Sequence, residues 1–552
     1  MSRLGLGAVA ALVLGAAPVV AQPADPSGDW SGTIAASPSM SFPLYIHLHR
    51  SKDGYTGEFD SPDQGAKGLA LSGVTVKGDA LDFDLPAAHA HYTAHWDAKA
   101  SAWIGQWVQG PATPLNFARG DTYKAAIPEL DGYWSGTLST PEGLGALIVR
   151  LRTGSVSSVT TPGAGAPTLP ITDIVRDADH VTFNAGGLSS FDGRLSADGK
   201  TLDGQWRRGG PLGAVPLHLT WTAEPPKPNR PQTPRPPFPY RSVEVGYDNP
   251  KEPVHLAGTL TLPQGKGPFP VALLITGSGL QDRDETVYDH KPFLVLADDL
   301  TRRGIAVLRV DDRTVGGSTG DVAKATSADF ATDVEAGVRF LKTRPEIDPR
   351  RIGLIGHSEG GMIAPMVAAA DPSVAFVVML AGPGLKGDRM MELQFAALTK
   401  AEGGSPEAVA ASAAQERAAL QRLEAEPAGT QAPGAGLSAG DPMAQAKRDA
   451  AHSPWFRYLI SYDPAPTLAR LRCPVLALGG TLDSQVPVAE NTPALKAALA
   501  HDPDATVLEL PGLNHAFQTA RSGAPMEHYA IEETLSPVAL KTVGDWVVAH
   551  TR

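Results

Sequence analysis

The sequence contains a single cysteine, Cys473, in 552 residues, so no disulfide can form within the chain. We interpret this thiol as a small buried apolar group rather than a nucleophile. Positive charge is also scarce: 47 Lys and Arg stand against 59 Asp and Glu, and the net charge of -12 argues against nucleic acid or an anionic membrane as a partner. No apolar run reaches the roughly 20 residues of a transmembrane helix, so we expect no membrane span.

Metal-ligand spacing is missing as well. His255, His290 and His357 show no such spacing with one another or with carboxylates, and we expect no metal site. What remains is an ordinary globular composition, with 42% hydrophobic and 19% charged residues. A chain of this length has more residues than one hydrophobic core usually accommodates, which indicates two or three domains.

Residues 1–21 have the composition of a signal peptide. Arg3 provides the positive start, and residues 4–17 form an apolar stretch. Residues 19–21 (VVA) resemble the small-residue site at which a signal peptide is cleaved. We therefore expect a periplasmic or secreted protein; a cytosolic chain with an apolar start is the alternative.

A pattern near the beginning of the chain returns about one hundred residues later. GDWSGT at 28–33 is matched by GYWSGT at 132–137, and GQW occurs at both 105–107 and 204–206. Apolar and polar residues alternate between these motifs, with Gly and Asp at the breaks, as in β-strands. We predict two copies of a small antiparallel β module, each a sandwich or half-barrel. Their tryptophans are interpreted as core residues.

These modules define the domain boundaries. The first repeat spans 22–125 and the second spans 126–223. Two roles are open for these repeats: binding of carbohydrate and association with other chains. Residues 224–240 contain eight prolines and are predicted to form a semi-rigid linker. The catalytic domain is predicted at 241–552.

From residue 241 onwards, strands alternate with helices. Unbroken apolar runs at 270–276 and 305–310 are typical of strands buried on both faces of a parallel sheet. An apolar stripe between 327 and 341 indicates a helix, for which Ser327 is a candidate N-cap. The alternation predicts a doubly wound α/β sheet. Residues 386–466 are too long for a simple crossover and are interpreted as a helical cap.

Gly356-His357-Ser358-Glu359-Gly360 matches the G-x-S-x-G nucleophile elbow. A second match occurs at 316–320, around Ser318. Context separates the two, because Ser358 directly follows a predicted strand and precedes a helix, whereas Ser318 lies in a loop well past its strand. Ser358 is therefore the predicted nucleophile.

A serine nucleophile needs a base and a group that orients the base. In α/β hydrolases the chain order is Ser, then Asp or Glu, then His. Asp483 follows the predicted strand at 475–478, and His515 follows the last predicted strand. Because the carboxyl ends of parallel strands meet at one edge of the sheet, we expect these side chains to converge there with Ser358.

The oxyanion of an acyl-transfer intermediate requires two N–H donors. One is predicted to be the backbone N–H of Glu359, which directly follows the nucleophile. The other is predicted in the loop at 276–280 (TGSGL), with Ser278 as the first choice and Gly279 as the second.

The chain over about 243–551 resembles bacterial α/β-hydrolase esterases related to serine aminopeptidases and dienelactone hydrolases. The resemblance lies in five segments: GSG at 277–279 with QDRD at 281–284, RVDDR at 309–313 with GSTG at 317–320, the elbow, the segment from Gly480 through Asp483 to VP at 486–487, and LNH at 513–515. It implies an α/β-hydrolase fold and hydrolysis of carboxylic esters without metal or organic cofactor. Two positions depart from the pattern: Thr276 stands where histidine is common, and Asp312 stands where lysine is common.

Four further residues are candidate substrate contacts: Asp282 and Arg283 beside the oxyanion loop, and Trp455 and Phe456 in the cap. For Asp282 and Arg283, a role as anchors of that loop is the favoured interpretation. For Trp455 and Phe456, packing of the cap explains the pattern equally well. The predicted reaction is hydrolysis of a small-molecule carboxylic ester through the Ser358–His515–Asp483 triad. An aminopeptidase or thioesterase with the same triad is the alternative. The remaining hypothesis is a binding protein with an inert hydrolase region.

Overall fold

The computed structural model describes most of the chain, namely residues 25–37, 40–52, 54–61, 66–109, 112–119, 127–140, 143–152, 157–161, 168–185, 189–208, 214–426, 452–525 and 527–552. The predicted signal peptide, 1–21, lies outside these ranges, as does part of the predicted cap, 427–451. The chain divides into two compact units, the first comprising residues up to 131 with 151–158 and 169–191, and the second comprising 132–150, 159–168 and 192–552.

The first sheet has nine antiparallel strands in the order β4-β3-β2-β1-β9-β8-β7-β6-β5. Alternating apolar residues along these strands face one core, in which Trp30, Tyr92 and Trp103 are fully buried. The strands are β1 (Gly28–Ser37), β2 (Met40–Ser51), β3 (Gly54–Ser61), β4 (Ala66–Ala70), β5 (Ser72–Lys77), β6 (Ala80–Leu85), β7 (Ala90–Asp97), β8 (Ala102–Val108) and β9 (Ala112–Arg119). A short 3₁₀ helix, Pro86–Ala88, joins β6 to β7.

The second β structure is a closed barrel of eight strands in sequence order. Closure comes from the pairing of the first strand with the last, where Trp134 is opposite Trp221. The strands are β10 (Gly132–Thr140), β11 (Gly143–Leu151), β12 (Ser157–Thr160), β13 (Thr168–Asp177), β14 (His180–Ala185), β15 (Ser189–Leu195), β16 (Thr201–Arg208) and β17 (Ala214–Thr222), preceded by the 3₁₀ helix Pro128–Leu130.

The two β structures place the tryptophans of the repeated motifs alike. Trp30 in β1 and Trp134 in β10 are both fully buried, and each lies on a strand that pairs with the last strand of its own sheet. The predicted all-β region is therefore present, as a nine-stranded sheet and a closed barrel rather than as sandwiches or half-barrels. The repeat itself stays a prediction.

The third sheet has eight strands in the order β18-β19-β21-β20-β22-β23-β24-β25. Its first two strands pair antiparallel, β19 pairs antiparallel with β21, and all later neighbours are parallel. The strands are β18 (Arg241–Asn249), β19 (Val254–Leu262), β20 (Phe269–Ile275), β21 (Ala306–Val310), β22 (Ile347–His357), β23 (Val374–Leu380), β24 (Val475–Gly480) and β25 (Thr506–Leu510).

Helices cover both faces of this sheet and enclose two hydrophobic cores. They are α1 (Pro292–Arg302), α2 (Ser327–Lys342), α3 (Glu359–Ala370), α4 (Gly387–Ala401), α5 (Pro406–Ala425), α6 (Pro454–Ser461), α7 (Ala465–Leu468), α8 (Val488–Ala498), α9 (Glu527–Ala530) and α10 (Pro537–His550). Cys473 is buried, and burial raises the pKa of its thiol to about 11, which fits its interpretation as an unreactive core group.

Helix α2 begins one residue earlier than its sequence signals indicate. Thr326, not Ser327, is the N-cap, because Thr326 and Asp329 form a reciprocal capping box. The Ser327 hydroxyl instead donates to a carboxylate oxygen of Glu359 at 2.6 Å. This contact joins α2 to the first residue of α3.

The predicted cap consists of α4, α5 and α6, which lie between β23 and β24. As predicted, α5 begins at Ser405-Pro406, where the Ser405 side chain accepts the backbone N–H of Ala408. Helix α6 begins in the same manner, with Ser453 as N-cap and Pro454 as its first residue.

The proline-rich linker packs onto the catalytic region through Arg230, which is only 8% exposed. Its guanidinium donates to the backbone carbonyls of Tyr288, Tyr529 and Ile531 at 2.9–3.1 Å. The amide of Gln232 bonds the backbone of the same segment, around residues 534–535. The linker thus joins two loops of the catalytic region, which a plain spacer would not do.

Candidate active site

Ser358 occupies a sharp turn between β22 and α3. Its backbone has φ 51° and ψ -114°, a region that non-glycine residues rarely adopt. The two elbow glycines are required by space. A Cβ on Gly356 would lie 1.9 Å from the carbonyl oxygen of Gly360, and a Cβ on Gly360 would lie 2.1 Å from that of Ile275. The turn therefore demands the G-x-S-x-G pattern.

His515 and Asp483, predicted as the other triad members, form a buried pair. The Nδ1 atom of His515 lies 2.9 and 3.0 Å from the two carboxylate oxygens of Asp483. Asp483 Oδ1 also accepts the backbone N–H groups of Gln485 and Val486, both at 2.8 Å. The carboxylate is thereby fixed in the orientation that holds one imidazole nitrogen and leaves Nε2 available.

Ser358 and His515 line the same cavity, whose volume is about 500 Å³, within the range of small-molecule sites. Most of its wall is apolar and comes from the cap and from the loops after β20 and β23. The apolar lining residues include Val287, Leu385, Met390, Leu398, Phe456 and Leu459.

Two of the three predicted oxyanion residues share this cavity. Ser278 and Glu359 line it together with Ser358, and Glu359 is the first residue of α3, where backbone N–H groups have no partner within the helix. The N–H of Gly277 is already donated to Glu285 at 2.7 Å. Gly279 is not among the residues that line this cavity; it lines a smaller one of about 70 Å³, and its role as a donor stays a prediction.

Thr276 and Asp312, the two departures from the family pattern, bond to each other. The Thr276 hydroxyl donates to one oxygen of Asp312 at 2.7 Å, and the backbone N–H of Gln281 donates to the other at 2.9 Å. Asp312 therefore ties both ends of the oxyanion loop. Burial raises the pKa of this carboxyl to about 7, even though both hydrogen bonds favour the charged form.

The candidate substrate contacts divide into two groups. Trp455 and Phe456 line the cavity, and the indole N–H of Trp455 donates to Glu359 at 2.9 Å. Asp282 and Arg283 are not among the lining residues, and a substrate contact for either of them stays a prediction. Arg283 is ion-paired with Asp311 and Glu244, and Asp282 accepts backbone N–H groups of its own loop, so both anchor it.

Sequence reasoning missed Glu285, His290, His357 and His528 as residues of the cavity wall. The ring nitrogens of His290 lie 2.8 Å from the Thr534 hydroxyl and 2.9 Å from the carbonyl oxygen of His528. Burial lowers the pKa of both His290 and His528 to about 4, which keeps them neutral. Glu285 directly follows the DRD run at 282–284, the one signal that pointed to this loop.

Among the described residues, no group of three or more His, Cys, Asp and Glu side chains is arranged to hold a metal ion. Over the same residues, no helix combines the length and hydrophobicity needed to cross a bilayer. The lack of a cofactor stays a prediction.

Comparisons with known proteins agree with this architecture. The model of the X-Pro dipeptidyl-peptidase (S15 family) matches residues 252–508. The esterase EstD of Thermotoga maritima is 27% identical over 293 residues, which cover 53% of this chain and 65% of that protein. The thiohydrolase apmlB of Arthrinium phaeospermum is 40% identical over 79 residues, covering 14% of this chain and 25% of that protein.

The chain thus spans less than two thirds of the length of these two curated relatives. Among solved structures, a Pyrococcus furiosus esterase aligns with 60% of this chain and all of its own length, at 17% identity and a TM-score of 0.36. The strand order of the third sheet and the strained serine turn agree with an α/β-hydrolase fold, and the matches to the family model and to EstD show that this chain is similar in sequence to known hydrolases.

Proposed function

We propose that the protein is a serine carboxylic ester hydrolase, with Ser358 as nucleophile, His515 as general base and Asp483 as the carboxylate that orients the base. One observation carries the proposal. The serine on its strained turn and His515, which is bonded to the buried Asp483, line the same largely apolar cavity. A nucleophile, a base and an orienting carboxylate are the parts that acyl transfer requires.

In the proposed reaction, the Ser358 oxygen attacks the ester carbonyl while His515 Nε2 takes its proton. The backbone N–H groups of Glu359 and Ser278 stabilise the oxyanion that forms. Collapse of the intermediate releases the alcohol, which leaves with the proton held by His515, and an acyl-serine remains. Water then gives a proton to His515 and attacks the acyl-serine, and the carboxylic acid leaves as Ser358 recovers its proton.

The lining of the cavity favours uncharged substrates. No Lys or Arg is among the described residues that line the cavity, whereas Glu285 and Glu359 are both among them. A substrate carboxylate would lose its water without gaining an unpaired cation, because His357 is bonded to Glu285, and it would lie near the acidic side chain of Glu359. We therefore propose a neutral ester with a hydrophobic acyl or alcohol group as the substrate class.

A peptidase is the second candidate, because the matching family model describes a dipeptidyl-peptidase. The Glu359 carboxylate at the cavity offers a partner for a substrate ammonium group. Ester hydrolysis is preferred because the wall is mainly apolar and because EstD, which matches this chain over 293 residues, is named an esterase. The thiohydrolase match covers too little of the chain to favour thioesters.

The experiment is a comparison of kcat/KM for matched nitrophenyl substrates: the 4-nitrophenyl esters of butyrate, octanoate and hemisuccinate, S-(4-nitrophenyl) thiobutyrate, and the 4-nitroanilides of alanine and Gly-Pro. We expect the neutral esters to be cleaved best. The hemisuccinate should be slower by roughly tenfold or more, because a penalty of about 1.4 kcal/mol for placing its carboxylate in the cavity already corresponds to a factor of ten. Faster cleavage of an anilide would favour the peptidase. Cleavage of no substrate would favour the inert binding protein.

Export through residues 1–21 is also a proposal, supported by the composition of that segment. Its test is the N-terminal sequence of the protein recovered from an expressing bacterium. A mature chain that begins near residue 22 is expected, and recovery of the intact N-terminus from the cytosol would contradict export.

A further inference from the structure

A second carboxylate–imidazole pair lies beside the His515–Asp483 pair. His357 Nδ1 is 2.9 Å from Glu285 Oε1, and His357 Nε2 is 3.1 Å from the backbone carbonyl oxygen of His515. The same oxygen of Glu285 accepts the N–H of Gly277 at 2.7 Å. These three contacts connect the oxyanion loop, the serine turn and the loop that carries His515.

The two partners of His357 determine its protonation. Both ring nitrogens face an oxygen that can only accept a hydrogen bond, one from the ionised Glu285 side chain and one from a backbone carbonyl. A neutral imidazole has a single N–H and satisfies only one of them, whereas imidazolium satisfies both. Burial opposes the charged form, but the charge of Glu285 and the two hydrogen bonds outweigh it and raise the pKa of His357 to about 8.

The other titratable groups around His357 do not replace this charge. The His515 ring lies 4.8 Å from that of His357, between centroids, and Asp483 lies behind His515. His528 on α9 is the other nearby imidazole, and burial lowers its pKa to about 4, so it is neutral at working pH. His357 is thus the imidazolium of this cluster, paired with Glu285.

We propose that His357 is a positioning residue whose doubly protonated form, held by Glu285, fixes the oxyanion loop and the His515 loop on either side of Ser358. The inference rests on the proposed hydrolase function, because it concerns the alignment of the same reacting groups. His357 itself transfers no proton to substrate.

Loss of one proton from His357 breaks this alignment. The remaining proton stays on Nδ1, where it makes the stronger, charge-assisted bond to Glu285. The lone pair on Nε2 then faces the carbonyl oxygen of His515, and this repulsion pushes the His515 loop away from Ser358. Activity therefore declines as the pH rises through about 8, in addition to the rise at low pH that the general base requires.

The test is the pH dependence of kcat and KM between pH 5 and 10 for the whole protein, with a neutral nitrophenyl ester. In the wild type we expect kcat to fall about fivefold from pH 7 to 9 with little change in KM. In His357→Gln we expect kcat at pH 7 to be lower by about tenfold, as for the loss of a hydrogen bond to a charged group, and the alkaline decline to be absent. In Glu285→Gln we expect the decline to move to lower pH by a unit or more.

His255→Gln is the matched control. His255 forms an exposed pair with Asp248 at 2.7 Å on the surface of the same sheet and does not line the cavity. Its profile should coincide with that of the wild type. Circular dichroism establishes whether each variant is folded. If His357→Gln is not folded, the pH profiles of the wild type and of Glu285→Gln test the proposal.

The outcomes separate the two proposals. Wild-type protein without hydrolase activity would contradict the proposed function. An active wild type whose kcat stays level to pH 10, or whose alkaline decline is the same in folded His357→Gln, would overturn the role of His357 and leave the hydrolase assignment standing.

Discussion

The chain contains the same five-residue serine pattern twice, and the two copies have opposite environments. Ser318 is buried, its hydroxyl donates to the carbonyl of Asp311 at 2.8 Å, and it accepts the N–H of Ala257 at 2.9 Å. Ser358 lies on the cavity that His515 lines. Both bonds of Ser318 hold a loop, which leaves its oxygen no path to a substrate.

The difference between them arises from the flanking elements. Strand β22 ends at His357 and α3 begins at Glu359, so the chain must reverse at Ser358 itself. Strand β21 ends at Val310, well before Ser318, and no helix begins at that serine. The same pattern of glycines and serine therefore forms a strand-to-helix elbow only where a strand runs directly into a helix.

The loop around Ser318 nevertheless contributes to the site. It contains Asp312, which ties the oxyanion loop, and Asp311, which is ion-paired with Arg283 beside that loop. One copy of the pattern presents the proposed nucleophile, while the segment of the other supports the proposed oxyanion donors.

The largest contrast is expected from removal of each serine hydroxyl. Ser358→Ala should lower kcat by roughly four to six orders of magnitude, because the nucleophile is lost. Ser318→Ala should lower it by no more than a few-fold, with a loss of stability of about 1–3 kcal/mol from its two buried hydrogen bonds. Ester kinetics and denaturant unfolding measure both, and equal activity losses would abolish the distinction.

A glycine from each of the two segments provides the next contrast: Gly360 is the last glycine of the elbow, and Gly317 lies at a variable position of the second copy. Gly360→Ala places a Cβ 2.1 Å from the backbone oxygen of Ile275, which cannot move without displacing β20. We expect a loss of roughly 3 kcal/mol and of most activity. Gly317→Ala places its Cβ 2.8 Å from the Cβ of Ala257, a side-chain atom rather than a backbone oxygen, and should cost less. Thermal melts rank the two, and the reverse order would contradict the packing described for the elbow.

The third comparison concerns the linker, which contacts the hydrolase region outside both serine patterns. Arg230→Ala removes the buried guanidinium that joins the carbonyls of Tyr288, Tyr529 and Ile531. We expect a loss of about 2–3 kcal/mol, because these carbonyls lose their donor, together with a higher KM. The exposed Arg235 of the same linker is the control, as Arg235→Ala. Equal stability of the two variants would mean that the linker is only a spacer.

Asp312→Asn tests the supporting role of the second loop through pH. The pKa of Asp312 is raised by burial from 3.8 to about 7, so its contribution to stability is present at low pH and is lost as the pH rises toward and through 7. The difference in Tm between variant and wild type should therefore shift by a few degrees in favour of the variant from pH 5 to pH 8. A difference that is constant over this range would show that Asp312 is not perturbed.

The smallest effect is expected in the cap. Trp455→Phe keeps an aromatic ring at the cavity but removes the indole N–H that donates to Glu359. Since this bond lies beside the first residue of α3, we expect kcat/KM to fall by about two- to fivefold. An unchanged kcat/KM would show that the cap contact does not affect the elbow.

Local patterns were sufficient for much of this architecture. Unbroken apolar runs indicated the buried parallel strands, and the order of the three loops that carry Ser358, Asp483 and His515 followed from the carboxyl ends of those strands. Closure of the barrel was not predictable, because it depends on the pairing of β10 with β17 across the whole module.

The supporting contacts of the site were missed for the same physical reason. The Glu285–His357 bond joins residues 72 positions apart, and the bond of Arg230 to Ile531 joins residues 301 positions apart. Neither leaves a periodic or local signal in the sequence. The pairing of Thr276 with Asp312 explains why two departures from a family pattern can occur together.

The central claim is that Ser358, and not the serine of the second copy, is the activated nucleophile. Reaction with a fluorophosphonate probe, followed by mass spectrometry of the labelled peptide, tests it directly. We expect a single label on Ser358 that disappears in His515→Ala and persists in Ser318→Ala. A label on Ser318, or full labelling of Ser358 in His515→Ala, would contradict the account.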